Sequence, residues 1–136
     1  SMLFNLQKFK EKTFFDENFF LFLENDDLCL RTRKKNEYIY VVTDSFINHK
    51  GGINTNDKLE YLRNWHWMWS KFYFNKKHYG FLNAIIKISL NLSAACFKYL
   101  IYLFLFNSHQ KKIYKMRLCG IFASIMGKKS SFRVDN

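Results

Sequence analysis

The sequence predicts an α/β chain, with a few short strands in residues 1–57 and an α-helical, amphipathic tail in residues 58–136. The best strand candidate is residues 38–42, YIYVV, because the run is aromatic and β-branched. The tail prediction rests on residues 58–79 and 81–106, which are dense in aromatic and apolar side chains. We expect these two segments to be separate units of the chain.

Charge and composition limit the partners that the chain is suited to bind. The formal net charge of +11 and the pI near 9.6 predict attraction to nucleic acid, an anionic membrane surface or phosphorylated substrates. An aromatic content of 20% without proline favours a packed or membrane-facing body. Cys29, Cys96 and Cys119 stand far apart, which argues against a zinc site or a disulfide framework and is compatible with a reducing compartment.

The first segment begins with two short predicted elements, a buried strand at residues 1–4 and a turn or two of helix at residues 6–12. Because the apolar run starts directly after Ser1, we expect the sequence to be a fragment. Residues 13–25 predict a loop pinned by aromatic rings. A helix should follow with Asn25 as N-cap, Asp26 and Asp27 in its first turn, cations at its end and Asn36 as its stop.

After the predicted strand at 38–42, a second extended piece at residues 46–47 should lead into the sequence HKGG at residues 49–52. The two glycines there would let the backbone come close to a ligand. Residues 81–106 are long and apolar enough to span a bilayer. However, Asn83, Lys87, Asn91 and Lys98 draw one polar stripe, which favours a helix that lies on a membrane or packs on the domain.

Three charged residues have the spacing that a functional site needs. Glu24, Asp27 and Arg31 fall at i, i+3 and i+7, so they share one helix face. Two carboxylates beside a histidine from a neighbouring turn suit a divalent metal or a general base. The alternative is an ordinary helix start with first-turn acids and one salt bridge.

The stretch FDENFFLFLENDDLCLR, followed by a strand and HKGG, resembles the C-terminal half of the catalytic domain in rhamnosyltransferase-like family 2 glycosyltransferases. Their pattern reads roughly GxFDExFFxYxEDxDLCxR, then a strand, then HxGG or HxxGxS. The matching positions are Phe15, Asp16, Glu17, Phe19, Phe20, Glu24, Asp27, Leu28, Cys29, Arg31, His49, Gly51 and Gly52. The aromatic, basic residues 64–80 and the GKKSSFR tail also resemble these enzymes.

This resemblance implies the C-terminal portion of a GT-A fold, which is a Rossmann-like α/β domain. The full protein would transfer a sugar, with a deoxyhexose such as rhamnose among the candidates, from a nucleotide-sugar to a lipid-linked or polysaccharide acceptor with inversion. Carried over by position, the catalytic acids would be Glu24, Asp27 and Asp26. The donor diphosphate would be held by Arg31, His49, Gly51 and Gly52, with His49 also contacting the metal.

Two departures from the family pattern matter. Asn25 stands where a second acid is common, and an amide cannot serve as a base. The family's divalent metal, Mg²⁺ or Mn²⁺, is bound mainly by a DxD motif, and no DxD occurs in this sequence. The resemblance therefore implies that the nucleotide-binding half is not part of this sequence. It also implies that this chain alone cannot bind a nucleotide-sugar properly and is then inactive in sugar transfer.

The aromatic cluster of Trp65, His66, Trp67 and Trp69 is expected to contact the acceptor or a membrane interface. We expect a cytoplasmic protein, peripheral on the inner face of the cell membrane, whose partners are the donor, the acceptor and anionic lipid. Two alternatives stay open, an inactive truncated membrane-surface protein and a basic, aromatic nucleic-acid-binding module. Nucleic acid is not the expected partner, because acids occupy the most organised segment.

Overall fold

The computed structural model describes residues 3, 5, 14–44, 46–48 and 56–133, and in these ranges the protein is all-helical. Four helices follow one another: α1 (Glu24–Lys34), α2 (Asp57–Tyr79), α3 (Phe81–Phe104) and α4 (Ser108–Ile125). No strand is present in the described ranges. The predicted α/β class, a portion of a GT-A domain with short strands, is therefore wrong for this part of the chain.

The predicted strand at residues 38–42 is instead an exposed, irregular stretch after α1. Tyr38 is 78% exposed and Val41 is 87% exposed. A strand needs a neighbour to pair its backbone N–H and C=O groups, and none of the described segments offers one. Residues 46–48 are likewise exposed and irregular. The predicted 6–12 helix, the 49–52 turn and all of the 1–4 strand except Leu3 lie outside the described residues.

Local capping explains where the long helices begin. The Asn56 side chain accepts a hydrogen bond from the backbone N–H of Lys58 at 3.0 Å, and the Asn107 side chain accepts one from Gln110 at 3.0 Å. Helix α1 differs from the prediction, because it begins at Glu24 after Leu23, which has a φ of 66° and makes no side-chain cap. The predicted cap residue Asn25 lies inside the helix.

Helices α2, α3 and α4 form a bundle around one apolar core. Gly80 connects α2 to α3 with a φ of 86°, a backbone conformation that glycine adopts without steric cost. The first cluster of the core joins Met68 and Phe72 of α2 with residues of α3 and α4. The second cluster packs Trp65 and Trp69 against α4. Burial of these side chains is the main stabilising contribution.

Close approach of α2 and α4 depends on one small residue. A Cβ atom placed on Gly120 would lie 2.2 Å from the carbonyl oxygen of Trp65. No side chain fits at this position unless the helices separate. Gly120 therefore sets the distance between α2 and α4 beside the tryptophan cluster.

The segment before α1 is held against α2. The Ser70 hydroxyl donates a hydrogen bond to the carbonyl of Leu21 at 2.7 Å, and the ring of Phe19 meets that of Tyr73 edge-on at 4.9 Å. These contacts place the acidic motif along the C-terminal half of α2. The predicted aromatic-pinned loop is thus present in residues 14–23, which form turns and bends.

Helix α3 leaves one face uncovered. It is the one helix in the described residues that is long and apolar enough to cross a membrane, and 17% of its most apolar window is buried. A helix that served mainly as core would be mostly buried. The outer face of α3 is therefore an exposed apolar surface in the described part of the chain.

Candidate functional site

Asp27 is the centre of the acidic motif and is fully buried. Arg31 Nε donates to Asp27 Oδ2 at 2.9 Å, one helical turn further along α1. From the end of α2, His78 Nε2 donates to Oδ1 at 2.7 Å, and Lys77 Nζ lies 2.7 Å from the same oxygen. Donors from two helices thus surround one carboxylate, which is the condition under which a buried charge is tolerated.

Asp16, in the loop before α1, belongs to the same network. Its Oδ2 accepts hydrogen bonds from Lys77 Nζ at 2.8 Å and from the hydroxyl of Tyr73 at 2.9 Å. The backbone N–H of Asn18 donates to Oδ1 at 3.0 Å. Lys77 therefore bridges the carboxylates of Asp16 and Asp27.

The network changes the acidity of its members. Burial raises the pKa of the Asp16 carboxyl, but hydrogen bonds from Lys77, Asn18 and Tyr73 outweigh it and lower the pKa to about 2. Burial also raises the pKa of the Asp27 carboxyl, but hydrogen bonds from Lys77, Arg31 and His78 outweigh it and hold the pKa below its usual value. Burial and the hydrogen bond to Asp16 raise the pKa of Tyr73 to about 12. Both aspartates are anions at neutral pH.

Beside this network lies an open cleft of about 340 Å³, lined by Phe15, Asp16, Glu17, Arg31 and Lys77. The volume is within the range of small-molecule sites. Its walls combine carboxylate acceptors, cationic donors and one aromatic ring. Such a lining suits a ligand with many hydroxyl groups, because each hydroxyl can donate a hydrogen bond to a carboxylate and accept one from a cationic side chain.

The predicted catalytic acids have different environments. Glu24 is the first residue of α1, and its Oε2 is buried without a hydrogen-bond partner among the described residues. Asp26 is exposed. Asp27 is shielded from solvent and engaged on both oxygens, so a substrate has no access to it in this conformation. Of the predicted donor-binding residues, Arg31 lines the cleft and also donates through Nη2 to the carbonyl of Phe14.

The other predicted donor-site residues, His49, Gly51 and Gly52, lie outside the described residues. In the aromatic set, Trp65 and Trp69 are buried and Trp67 is 40% exposed, with its ring edge-on to Phe22 at 5.3 Å. Of the three tryptophans, only Trp67 thus offers a substantial open surface to a sugar or a lipid.

His66 is fully buried and satisfied on both ring nitrogens. The Ser130 hydroxyl lies 2.8 Å from Nδ1, and Nε2 lies 2.8 Å from the carbonyl of Phe132, to which it donates. Burial lowers the pKa of the imidazole, despite the bond to Phe132. His66 therefore joins the segment after α4 to α2 as a neutral core histidine.

Four members of the network were not selected as site residues from the sequence, namely Asp16, Tyr73, Lys77 and His78. Apart from Asp16, they lie more than 40 residues after Arg31, the last residue of the motif, so no local spacing identifies them. The sequence offers one signal, the basic end of α2, which suits carboxylate partners from another segment. Only the packing of α1 on α2 shows which carboxylates these are.

The residues around the cleft do not form a site for a divalent metal. Asp16 and Asp27 are already bridged by Lys77, and the Asp27 oxygens are both engaged. The one group in the described part of the chain with suitable ligand atoms is Asp57, Glu60 and His109. It lies about 30 Å away along α2, at a rise of 1.5 Å per residue.

Comparison of the chain with protein-family models, with curated proteins and with solved structures found no match.

Proposed function

We propose that this chain forms the acceptor-binding part of an inverting glycosyltransferase, which transfers a sugar from a nucleotide-sugar to a lipid-linked or polysaccharide acceptor. The observation that supports this function is the convergence of the motif residues on one cleft. Phe15, Asp16, Glu17 and Arg31 come from the stretch that resembles the enzymes, and together with Lys77 they line the same 340 Å³ space. The proposal does not depend on a GT-A fold for these residues.

The chemistry of the cleft assigns a role to each group. Asp16 and Glu17 accept hydrogen bonds from the acceptor hydroxyls, and the Phe15 ring packs on a pyranose face. Glu24 is our proposed base because it occupies the acidic position of the motif. It does not line the cleft, and its Oε2 is buried without a hydrogen-bond partner among the described residues, so the proposal requires a side-chain movement that brings this carboxylate to the acceptor. Asp27 acts as a positioning residue that orients Arg31 and Lys77.

The proposed reaction conserves atoms and charge. The base removes the proton of an acceptor hydroxyl, the oxygen attacks the anomeric carbon, and the nucleoside diphosphate leaves with the bonding electrons. The donor is held by a nucleotide-binding part that the described residues do not supply. Binding of both substrates in one site then provides the orientation that the displacement requires.

We also propose that the protein lies on the inner face of the cell membrane through the outer face of α3. Large apolar side chains are exposed along it, at Leu82, Ile86, Leu90, Phe97, Leu100 and Phe104. Residues 81–133 contain nine Lys or Arg and no Asp or Glu, so the surface around this face complements anionic lipid. An inactive membrane-surface protein would share this property, and only an activity measurement separates the two.

The test is transfer of labelled sugar from a nucleotide-sugar to a lipid-linked acceptor by the whole protein in its native membranes. We expect Glu24→Gln to reduce turnover at least 100-fold, because loss of a general base costs 10²–10⁴-fold. Asp44→Asn is the matched control, since Asp44 is exposed and outside the motif. Turnover of Glu24→Gln equal to that of the control would overturn the assignment of the base, and absence of transfer by the wild type would overturn the function.

A further inference from the structure

A second, smaller cavity of about 120 Å³ lies between α2 and the end of α4. Its volume is several times what one water molecule needs. Part of its lining consists of Trp69, Tyr73 and Gly127. Three ammonium-bearing residues, Lys76, Lys128 and Lys129, stand beside the polar side chains of Asn18 and Ser124.

Ser124 is the feature that requires an explanation. It is 4% exposed, and its hydroxyl oxygen is buried without a hydrogen-bond partner among the described residues. A helical serine usually satisfies its hydroxyl on a backbone carbonyl one turn before. An unpaired buried hydroxyl costs about 1–3 kcal/mol, and unpaired groups in native proteins commonly mark a missing water or ion. Ser124 is also one of the residues that line the cavity, together with three lysines.

The backbone holds Lys128 and Lys129 in place. Helix α4 ends in a reverse turn in which Gly127, at a φ of 72°, donates to the Ser124 carbonyl at 3.1 Å and Lys128 donates to the Ala123 carbonyl at 2.9 Å. This is the Schellman pattern of helix ends. The indole N–H of Trp69 then donates to the Lys128 carbonyl at 2.9 Å. The backbone that carries Lys128 is therefore hydrogen-bonded both to α4 and to Trp69 of α2, and Lys129 follows it directly.

The three lysines are a source of positive charge beside the cavity. None of them is ion-paired with a carboxylate in the part of the chain that the structure describes, and Lys76 Nζ lies 5.9 Å from the ring centroid of Phe81. Three lysine residues and a serine around one small space favour an anion with several acceptor oxygens. A carboxylate has two such oxygens, whereas a phosphate group presents three or four.

We propose that this cavity binds the phosphate or diphosphate group of a ligand, with Ser124, Lys128 and Lys129 as its main contacts. The site does not rest on the proposed sugar transfer, since Glu24, Asp27 and the residues that line the acidic cleft take no part in it. A soluble phosphate ester and the phosphate headgroup of a lipid share this chemistry. The two sources differ in whether the ligand reaches the site from water or from the bilayer.

The experiment is calorimetric titration of the full chain with inorganic diphosphate at physiological ionic strength. We expect Lys128→Ala/Lys129→Ala to weaken binding at least tenfold. The control Lys111→Ala/Lys115→Ala removes the same charge from α4 away from the cavity and should change affinity less than twofold. Equal weakening by both double variants would show attraction to net charge alone and overturn the site, as would absence of binding by the wild type at millimolar diphosphate.

Ser124→Ala separates a binding role from a structural one. Because the hydroxyl has no partner among the described residues, its removal should leave the thermal midpoint unchanged or raised while diphosphate affinity falls at least threefold. Unchanged affinity would remove Ser124 from the site. Competition by a short-chain phosphatidic acid, dispersed below its micelle concentration, identifies the source: tighter binding than diphosphate supports a lipid headgroup, and weaker binding supports a soluble phosphate.

Discussion

Lys77 Nζ lies 2.7 Å from Asp27 Oδ1 and links the end of α2 to the first turn of α1 across 50 residues of sequence. The same ammonium reaches Asp16 at 2.8 Å. One cation thus ties the loop before α1, α1 itself and α2 into a single unit. Because Asp27 is fully buried, this unit depends on keeping every partner of that carboxylate in place.

Asp27→Asn should destabilise the fold by about 3 kcal/mol or more, because it leaves the donors of Lys77 and Arg31 around an uncharged group. The free energy of unfolding in urea is the measurement. Asp26→Asn is the matched control, since Asp26 is exposed in the same helical turn and its interaction with the helix dipole contributes at most about 1 kcal/mol. Equal effects of the two variants would contradict a central role for Asp27.

Acid should unfold the protein through the same network. The pKa of Asp16 is about 2 in the folded protein and near 3.8 without these contacts. A carboxyl group whose pKa is lower in the folded state than in the unfolded state contributes its full stabilisation above the unfolded-state pKa. That stabilisation is lost as the pH falls through the folded-state pKa. We therefore expect the free energy of unfolding to drop between pH 4 and pH 2, and to drop less in Asp16→Asn. Identical acid profiles would exclude Asp16 as a source of this stability.

His66 should add a second pH range, nearer neutrality, over which the free energy of unfolding falls by a smaller amount. Burial lowers its pKa below the ordinary value of 6.5, so the folded state favours the neutral ring. The resulting stability is present above pH 6.5 and is lost as pH falls below it. Unfolding free energies between pH 7.5 and pH 5 should decline in the wild type and decline less in His66→Gln. A decline of the same size in the variant would contradict this source.

Gly120→Ala should separate α2 from α4, because the new Cβ would clash with the Trp65 carbonyl oxygen. Overpacking of a tight contact costs typically 1–3 kcal/mol and occasionally more. Gly127→Ala is the comparison. A Cβ there meets open space, so the loss of stability comes mainly from the positive φ of this residue. We expect the thermal midpoint to fall further in Gly120→Ala, and the reverse order would contradict the tight contact between the helices.

Membrane attachment should depend on the outer face of α3. Ile86→Asp/Leu90→Asp places two charges where Ile86 is 68% and Leu90 is 79% exposed, so folding should be retained while affinity for anionic vesicles falls more than tenfold. Tyr40→Asp/Val41→Asp makes the same charge change at exposed apolar positions outside the helix. Sedimentation with vesicles measures both. If the two double variants lose binding equally, net charge rather than the α3 face controls attachment.

The sequence alone placed the helical stretches 58–79 and 81–106 within two residues of the bounds of α2 and α3, because Gly80 separates them and apolar residues cover whole helical turns. It also identified the acidic stretch, whose Glu24, Asp27 and Arg31 meet on one helix. Local propensity misjudged residues 38–42, because a strand exists only with a partner and the described chain offers none. Tertiary packing alone decided that Asp27 is buried and that Lys77 joins it to Asp16, since contacts between residues far apart in sequence leave no local pattern.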